Sequence, residues 1–171
     1  MTTVVREATL GDEEEILELY RATPELHKNA VVDLLDEGER KLAWSDPRKI
    51  LLVAVDESTE SIRGFLYVKI KDRTITEEKA RILHVAVRQE DRKFGIGTQL
   101  LQECVLRLLK RGDVHTIYSC VNVQNRGMIN FLAKHGFKMR ELYFRFEADV
   151  KKPSDFQPFP LDWWTDFGTD E

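Results

Sequence analysis

Between Ile82 and Leu109 the chain reads as an apolar strand, a basic glycine-bearing turn and an amphipathic helix, and that order constrains everything around it. The strand is Ile82-Leu83-His84-Val85-Ala86-Val87, and the turn is Arg88-Gln89-Glu90-Asp91-Arg92-Lys93-Phe94-Gly95-Ile96-Gly97. A strand that delivers backbone to such a turn, followed at once by a helix, makes an anion site. The glycines allow close approach, and the helix begins with unpaired N–H groups at the positive end of its dipole. Arg92 and Lys93 add positive charge at the same place, so the expected occupant is a phosphate or diphosphate held mostly by main chain.

Two phosphate motifs fail here. The P-loop needs four residues between its glycines and then Lys-Ser/Thr, but only Ile96 separates Gly95 from Gly97. The dinucleotide fingerprint needs a third glycine where this chain has Leu100. Neither ATP nor NAD is favoured.

A single domain with a substantial core is expected of 171 residues. The net charge of −4 argues against a dedicated nucleic-acid binder. Two cysteines, Cys104 and Cys120, are expected on a buried helix face and in a buried strand; they form neither a disulfide framework nor a metal-ligand spacing, which suits a reducing cytoplasm. No signal-like N-terminus stands out, and no run approaches the roughly 18 apolar residues of a membrane span. A cytoplasmic protein without membrane partners is the expectation.

Along the chain, Asp12 followed by Glu13, Glu14 and Glu15 reads as an N-cap with an acidic first turn, and Ile16, Leu17, Leu19 and Tyr20 give that helix an apolar face. Pro24 interrupts it, and a second helix is expected from about Asn29 to Trp44. Ile50–Val55 and Gly64–Lys71 read as strands of an antiparallel meander leading to the turn. After the turn, Ile96, Leu100, Leu101, Cys104, Val105, Leu108 and Leu109 recur at helical spacing, and Gly112 ends that helix. A strand over Thr116–Val121, a helix over Asn125–His135 capped by Gly136, and a strand over Leu142–Phe146 complete the pattern. The result is an α/β (α+β) domain over residues 1–150. Residues 151–171 form an aromatic and acidic tail, which either packs back on the domain or on a second copy, as in a homodimer, or forms a lid.

Arg92-Lys93-Phe94-Gly95-Ile96-Gly97 resembles the R/Q-x-x-G-x-G/A turn of the GNAT superfamily of N-acetyltransferases. Three other parts match it in the right order, namely Val5–Asp12, Leu83–Val87 and Val121–Phe137, so the resemblance spans about residues 4 to 148. It implies a mixed, mostly antiparallel sheet flanked by helices and splayed between the fourth and fifth strands, with acetyl-CoA as cosubstrate. It also implies diphosphate contacts from Arg92, Lys93, Phe94, Gly95, Ile96, Gly97 and Thr98, and pantetheine and thioester contacts from the backbone of Val85 and Val87. Asn122 and Asn125 match the family's asparagine pair, and Phe131 and Lys134 stand on the helix beside the distal part of the cofactor. Asn125 reads equally as a helix N-cap, and Phe131 as a core residue.

Transfer to a primary amine requires the amine to lose a proton. A lysine amine titrates at about pH 10.4 and an α-amine at about pH 8, so a base or a water relay helps. His84 is the titratable group inside the central strand, read either as that base or as a buried structural histidine; Glu77 and Glu78 are weaker candidates. Where many family members carry a tyrosine that protonates the departing thiolate, this chain has Leu132, with Tyr118 and Tyr143 as the substitutes at hand; Gln89 also replaces a frequent proline. The leading expectation is an N-acetyltransferase working by direct attack on the thioester. Leu132 motivates the alternative of a non-catalytic acyl-CoA-binding or regulatory module, and the tail motivates an interaction protein. The acceptor, small molecule or protein, has no code in the sequence, although Asp33, Asp36, Glu37 and Glu39 could attract a cationic amine or serve as a solvated helix face.

Overall fold

The computed structural model describes residues 2–27, 34–72 and 78–140. The chain divides into a unit of Met1–Phe137 and another of Lys138–Glu171, and every described helix and strand belongs to the first.

Strands β1 (Thr3–Glu7), β2 (Lys49–Asp56), β3 (Ile62–Asp72), β4 (Glu78–Val87) and β5 (Val114–Ser119) lie in the sheet in chain order. The first four pair antiparallel, and β5 joins β4 in parallel. A parallel neighbour requires a crossover. Helix α4 (Ile96–Arg111) supplies it, ending at Gly112 with φ +78°. The strands expected from alternation are present and somewhat longer. The expected Leu142–Phe146 strand and the tail lie outside the described residues.

Helices cover both faces of the sheet, so β2 is apolar on both sides. Ile50, Leu52 and Ala54 join Leu66, Val68 and Ile70 beneath Leu100, Cys104 and Leu108 of α4. Leu51 and Val53 join Phe65 and Tyr67 beneath Ile16, Leu19 and Tyr20 of α1 (Glu13–Arg21) and Ala43 of α3 (Glu37–Ser45). Burial of such side chains stabilises by roughly 1.5–3 kcal/mol each, against at most about 1 kcal/mol for an exposed ion pair, so the two apolar layers dominate.

Several local expectations are corrected. Pro24 does not merely stop the first helix; it opens a short helix α2 (Pro24–His27), where a missing N–H costs nothing. Of the helix expected over Asn29–Trp44, residues 29–33 lie outside the described residues, and α3 begins only at Glu37, where Asp36 Oδ1 accepts from Glu39 N at 2.9 Å. Asp12 does not cap α1 with its side chain. Its carboxylate turns back to accept from Thr9 N at 2.7 Å and from both Nη atoms of Arg6, at 2.7 and 2.8 Å. The Arg6 fork and the Thr9 donors hold that carboxyl down at about 2. Leu109 is 68% exposed, so the apolar stripe of α4 ends at Leu108. Cys120 is exposed just past the end of β5, whereas Cys104 is buried, and that burial pushes its thiol up to about 12.

Candidate active site and cofactor turn

The pairing of β4 with β5 runs from Glu78 opposite Val114 to Ile82 opposite Ser119 and then stops. Beyond it, among the described residues, His84–Val87 pairs only with β3, so one backbone edge of β4 opens between the fourth and fifth strands. Within that stretch the register slips: Tyr67 faces His84, but Val68 faces Ile82, leaving Leu83 as an extra residue. A bulge of this kind reverses which face the following side chains occupy. Ala80 and Ile82 lie in the layer under α4, and after the bulge that layer is met by Val85 and Val87. Ala86 lies instead in the layer under α1.

His84 is consequently buried on the α1 face, between two tyrosines. The Tyr20 ring meets it edge-on at 5.1 Å and 75°. The Tyr67 ring stacks at 6.1 Å and 23°. Burial, with the negative charges of Glu39 and Asp46, pushes the Tyr67 phenol above its ordinary range, so it remains protonated. Among the described residues Tyr67 Oη has no hydrogen-bond partner. Neither tyrosine was read from the sequence as a site residue, Tyr20 being expected only on the apolar face of its helix; the cross-strand position of Tyr67 depends on a bulge that leaves no residue signature.

Past β4, Arg88 fastens the start of β3 to α1. Its Nε donates to the Ile62 carbonyl at 2.5 Å and its Nη2 meets Glu15 at 3.3 Å. Asp91 is buried and paired with Arg63 at 3.4 Å, so its charge is partly neutralised beneath the turn. Above it Arg92, Lys93, Phe94 and Gly95 are exposed, Phe94 by 72%. Lys93 at φ +72° and Gly95 at φ +85° fold the turn tightly, a conformation natural to the glycine and uncommon for the lysine. Arg92 Nε donates to the Val87 carbonyl at 3.2 Å, which engages one of the backbone groups singled out for pantetheine.

Gly95 occupies the N-cap position of α4 and has no side chain with which to cap it. The first N–H groups of the helix, at Ile96, Gly97 and Thr98, therefore have no intrahelical acceptor. Ile96 turns its side chain into the core. A Cβ at Gly97 would stand 3.2 Å from Phe131 Cε2, so a larger residue there would require the ring on α5 (Arg126–Lys134) to give way by a few tenths of an ångström.

The asparagine pair serves the backbone. Asn122 Oδ1 accepts from Gln124 N at 2.9 Å, and Asn125 Oδ1 accepts from Met128 N at 3.0 Å as the N-cap of α5. The Gly-Phe that follows α5 closes it: Gly136 N donates to the Ala133 carbonyl and Phe137 N to the Leu132 carbonyl, both at 3.1 Å, with Gly136 at φ +84°. Phe131 packs partly buried against the α4 layer, and Leu132 is buried there, so no hydroxyl stands at position 132. A further link was not read from the sequence: Thr98 Oγ1 lies 3.0 Å from His135 Nε2, whose Nδ1 lies 2.7 Å from the Phe131 carbonyl.

The remaining candidates are less central. Glu78 opens β4 opposite Val114, at the end of the strand away from His84. Glu77, Asp33 and Tyr143 lie outside the described residues. Glu37 pairs with Lys41 at 2.7 Å and Glu39 with Lys49 at 3.5 Å, so these acids serve α3 and its attachment to the sheet. Among the described residues no cluster could hold a metal ion, and no helix is long and apolar enough to cross a membrane.

A model of the acetyltransferase (GNAT) family matches residues 14–137. The chain belongs to that family. An N-alpha-acetyltransferase of Sulfurisphaera tokodaii is 29% identical over 83 residues, which make up 48% of this chain and 50% of that protein. The matched part thus spans about half the length of the curated relative. Among solved structures, a transcriptional regulator from Bacillus halodurans C-125 shares the fold with a TM-score of 0.72 at 24% identity, over 86% of this chain and 100% of that one. An aminoglycoside acetyltransferase from an uncultured soil metagenomic sample gives a TM-score of 0.69 at 15% identity, over 87% of this chain and 97% of that one. At these identities the structural likeness speaks for the fold.

Proposed function

We propose that this protein is an acetyl-CoA-dependent N-acetyltransferase in which a primary amine attacks the thioester directly. One observation carries the reading: among the described residues, the edge of β4 left open beyond Ile82 runs straight into a basic turn and an N-terminus of α4 without a side-chain cap, while His84 lies buried on the opposite face of the same stretch. Acetyl-CoA supplies an activated acyl group and a diphosphate. Main-chain N–H groups of the turn and of Ile96, Gly97 and Thr98 hold the diphosphate, with Arg92 and Lys93 screening its charge. Backbone of Val85 and Val87 aligns the pantetheine arm and polarises the carbonyl. Asn122, Asn125 and Phe131 border the distal half of the cofactor. His84 takes the amine proton, directly or through a water. With Leu132 in the core, the thiolate leaves to be protonated by solvent.

The name of the Sulfurisphaera tokodaii relative makes a protein or peptide α-amine the first acceptor class to test. The free cysteines suit a reducing cytoplasm. The decisive experiment combines melting with acetyl-CoA and thiol release with a panel of peptide N-termini, lysine peptides and small polyamines. Acetyl-CoA at 100 times its Kd should add about 2.7 kcal/mol of stability. No melting shift at millimolar acetyl-CoA would remove the reading. Leu132 favours a second reading, a non-catalytic acyl-CoA-binding module; binding without thiol release from any amine would establish it.

A further inference from the structure

The contact between Thr98 and His135 bears on how the diphosphate is held, and rests on the reading that the turn before α4 binds it. A carbonyl can only accept, so the 2.7 Å contact with the Phe131 carbonyl requires a proton on His135 Nδ1. In the neutral ring Nε2 is then an acceptor, and the Thr98 hydroxyl must donate its only proton to it across 3.0 Å. That proton is thereby turned toward α5 and is withheld from an anion at the first turn of α4. Protonating Nε2 reverses the contact: Nε2–H donates to Thr98 Oγ1, and the hydroxyl proton is released toward the anion.

We propose that His135 is a positioning residue for cofactor binding, taking up a proton from solvent as the diphosphate arrives so that Thr98 donates to the anion. The nitrogen–hydrogen bond formed at Nε2 uses a proton from the buffer, and nothing else changes covalently. Of the described elements, the first turn of α4 brings no ionisable side chain from Ile96 to Gln99, and α5 brings Arg126 and Lys134 but no carboxylate. The turn before α4 carries Glu90 and the paired Asp91 along with the exposed Arg92 and Lys93. An anion bound there offsets the cations and makes room for one more positive charge on the ring. The tilted Phe131 ring, 4.5 Å from the imidazole, holds the ring in place in either state.

Dephospho-CoA is the probe, because it keeps the diphosphate but lacks the phosphomonoester that itself titrates near neutrality. Calorimetry at pH 6.5 in two buffers of different ionisation enthalpy should show proton uptake by the unsubstituted protein, less by Thr98→Val and none by His135→Gln. Affinity should fall by about tenfold between pH 5.5 and 8, less steeply in Thr98→Val, and stay flat in His135→Gln. Uptake of the same size in the variants, or none in the unsubstituted protein, overturns the proposal while binding itself still supports the diphosphate site. No binding at millimolar probe removes the site and the proposal together. Should His135→Gln fail to fold, Thr98→Val and the His135 ring resonances of the unsubstituted protein decide: a titration unmoved by the probe overturns it.

Discussion

Tyr67 of β3 stands directly across the ladder from His84 of β4, with ring planes 23° apart, and the bulge at Leu83 is what brings the two side chains to one face. His84→Ala should lower kcat by about 10²–10⁴-fold at neutral pH. The deficit should narrow above about pH 9, where a growing share of an α-amine acceptor is already deprotonated. A loss independent of pH would mean that the imidazole shapes the site without moving the proton. Steady-state rates against pH for both proteins check this.

Tyr67→Phe separates ring from hydroxyl. Since Tyr67 Oη has no partner among the described residues, removing it relieves a desolvated polar group, and the variant should melt at the same temperature or slightly higher. A fall of several degrees would show that the hydroxyl is bonded in solution, for example to a trapped water.

Arg92 and Lys93 should contribute mainly to affinity. Replacing both by alanine is expected to raise KM for acetyl-CoA by about tenfold while leaving kcat within about twofold, because uniform binding is what they supply. The penalty should shrink at high salt, since both side chains are exposed. Titrating the two proteins with acetyl-CoA at low and high ionic strength is the measurement.

Gly97 and Phe131 should be energetically coupled. Gly97→Ala forces a Cβ to 3.2 Å from the Phe131 ring, and overcrowding of this kind costs about 1–3 kcal/mol. Phe131→Leu withdraws the ring edge and should recover part of that cost, giving an interaction of at least about 0.5 kcal/mol in a double-mutant cycle read by denaturant. Strict additivity would mean that α5 shifts as a body instead.

Asp12 contributes to acid stability. Its carboxyl sits at about 2 when folded, against 3.8 ordinarily. The stabilisation is therefore complete above about pH 4 and disappears as pH falls through 2. Arg6 is 41% exposed, so screening limits the pair to about 1 kcal/mol. Asp12→Asn should lower stability at pH 7 by that order, by less at pH 2, and make no difference once the pH lies well below 2.

Much of this architecture was legible because hydrophobic period and punctuation agree. A continuous apolar run marked β2, alternation marked β3, the stripe that begins at Ile96 marked α4 although its expected last member, Leu109, is exposed, and Gly112 and Gly136 stand where left-handed backbone is needed. The errors have physical causes. Asp12 reads as a cap by residue type, but its carboxylate finds a better partner in the Arg6 fork. Cys120 continues an apolar-looking strand, but β5 ends at Ser119. The surroundings of His84 depend on backbone register, which periodicity cannot report once an extra residue enters β4. The link from Thr98 to His135 joins residues distant in the chain, and neither type announces the other.

The parallel placement of β5 has a consequence for assembly. Strands β1 to β4 are joined to the sheet in antiparallel pairs, whereas β5 can dock only after α4 has crossed the sheet and closed its loop. Among the described strands, β5 should thus be the last to form and the first to open. Amides of Val114–Ser119 should exchange with deuterium faster than those of β2 and β3, and a cosubstrate bridging the gap should slow them most.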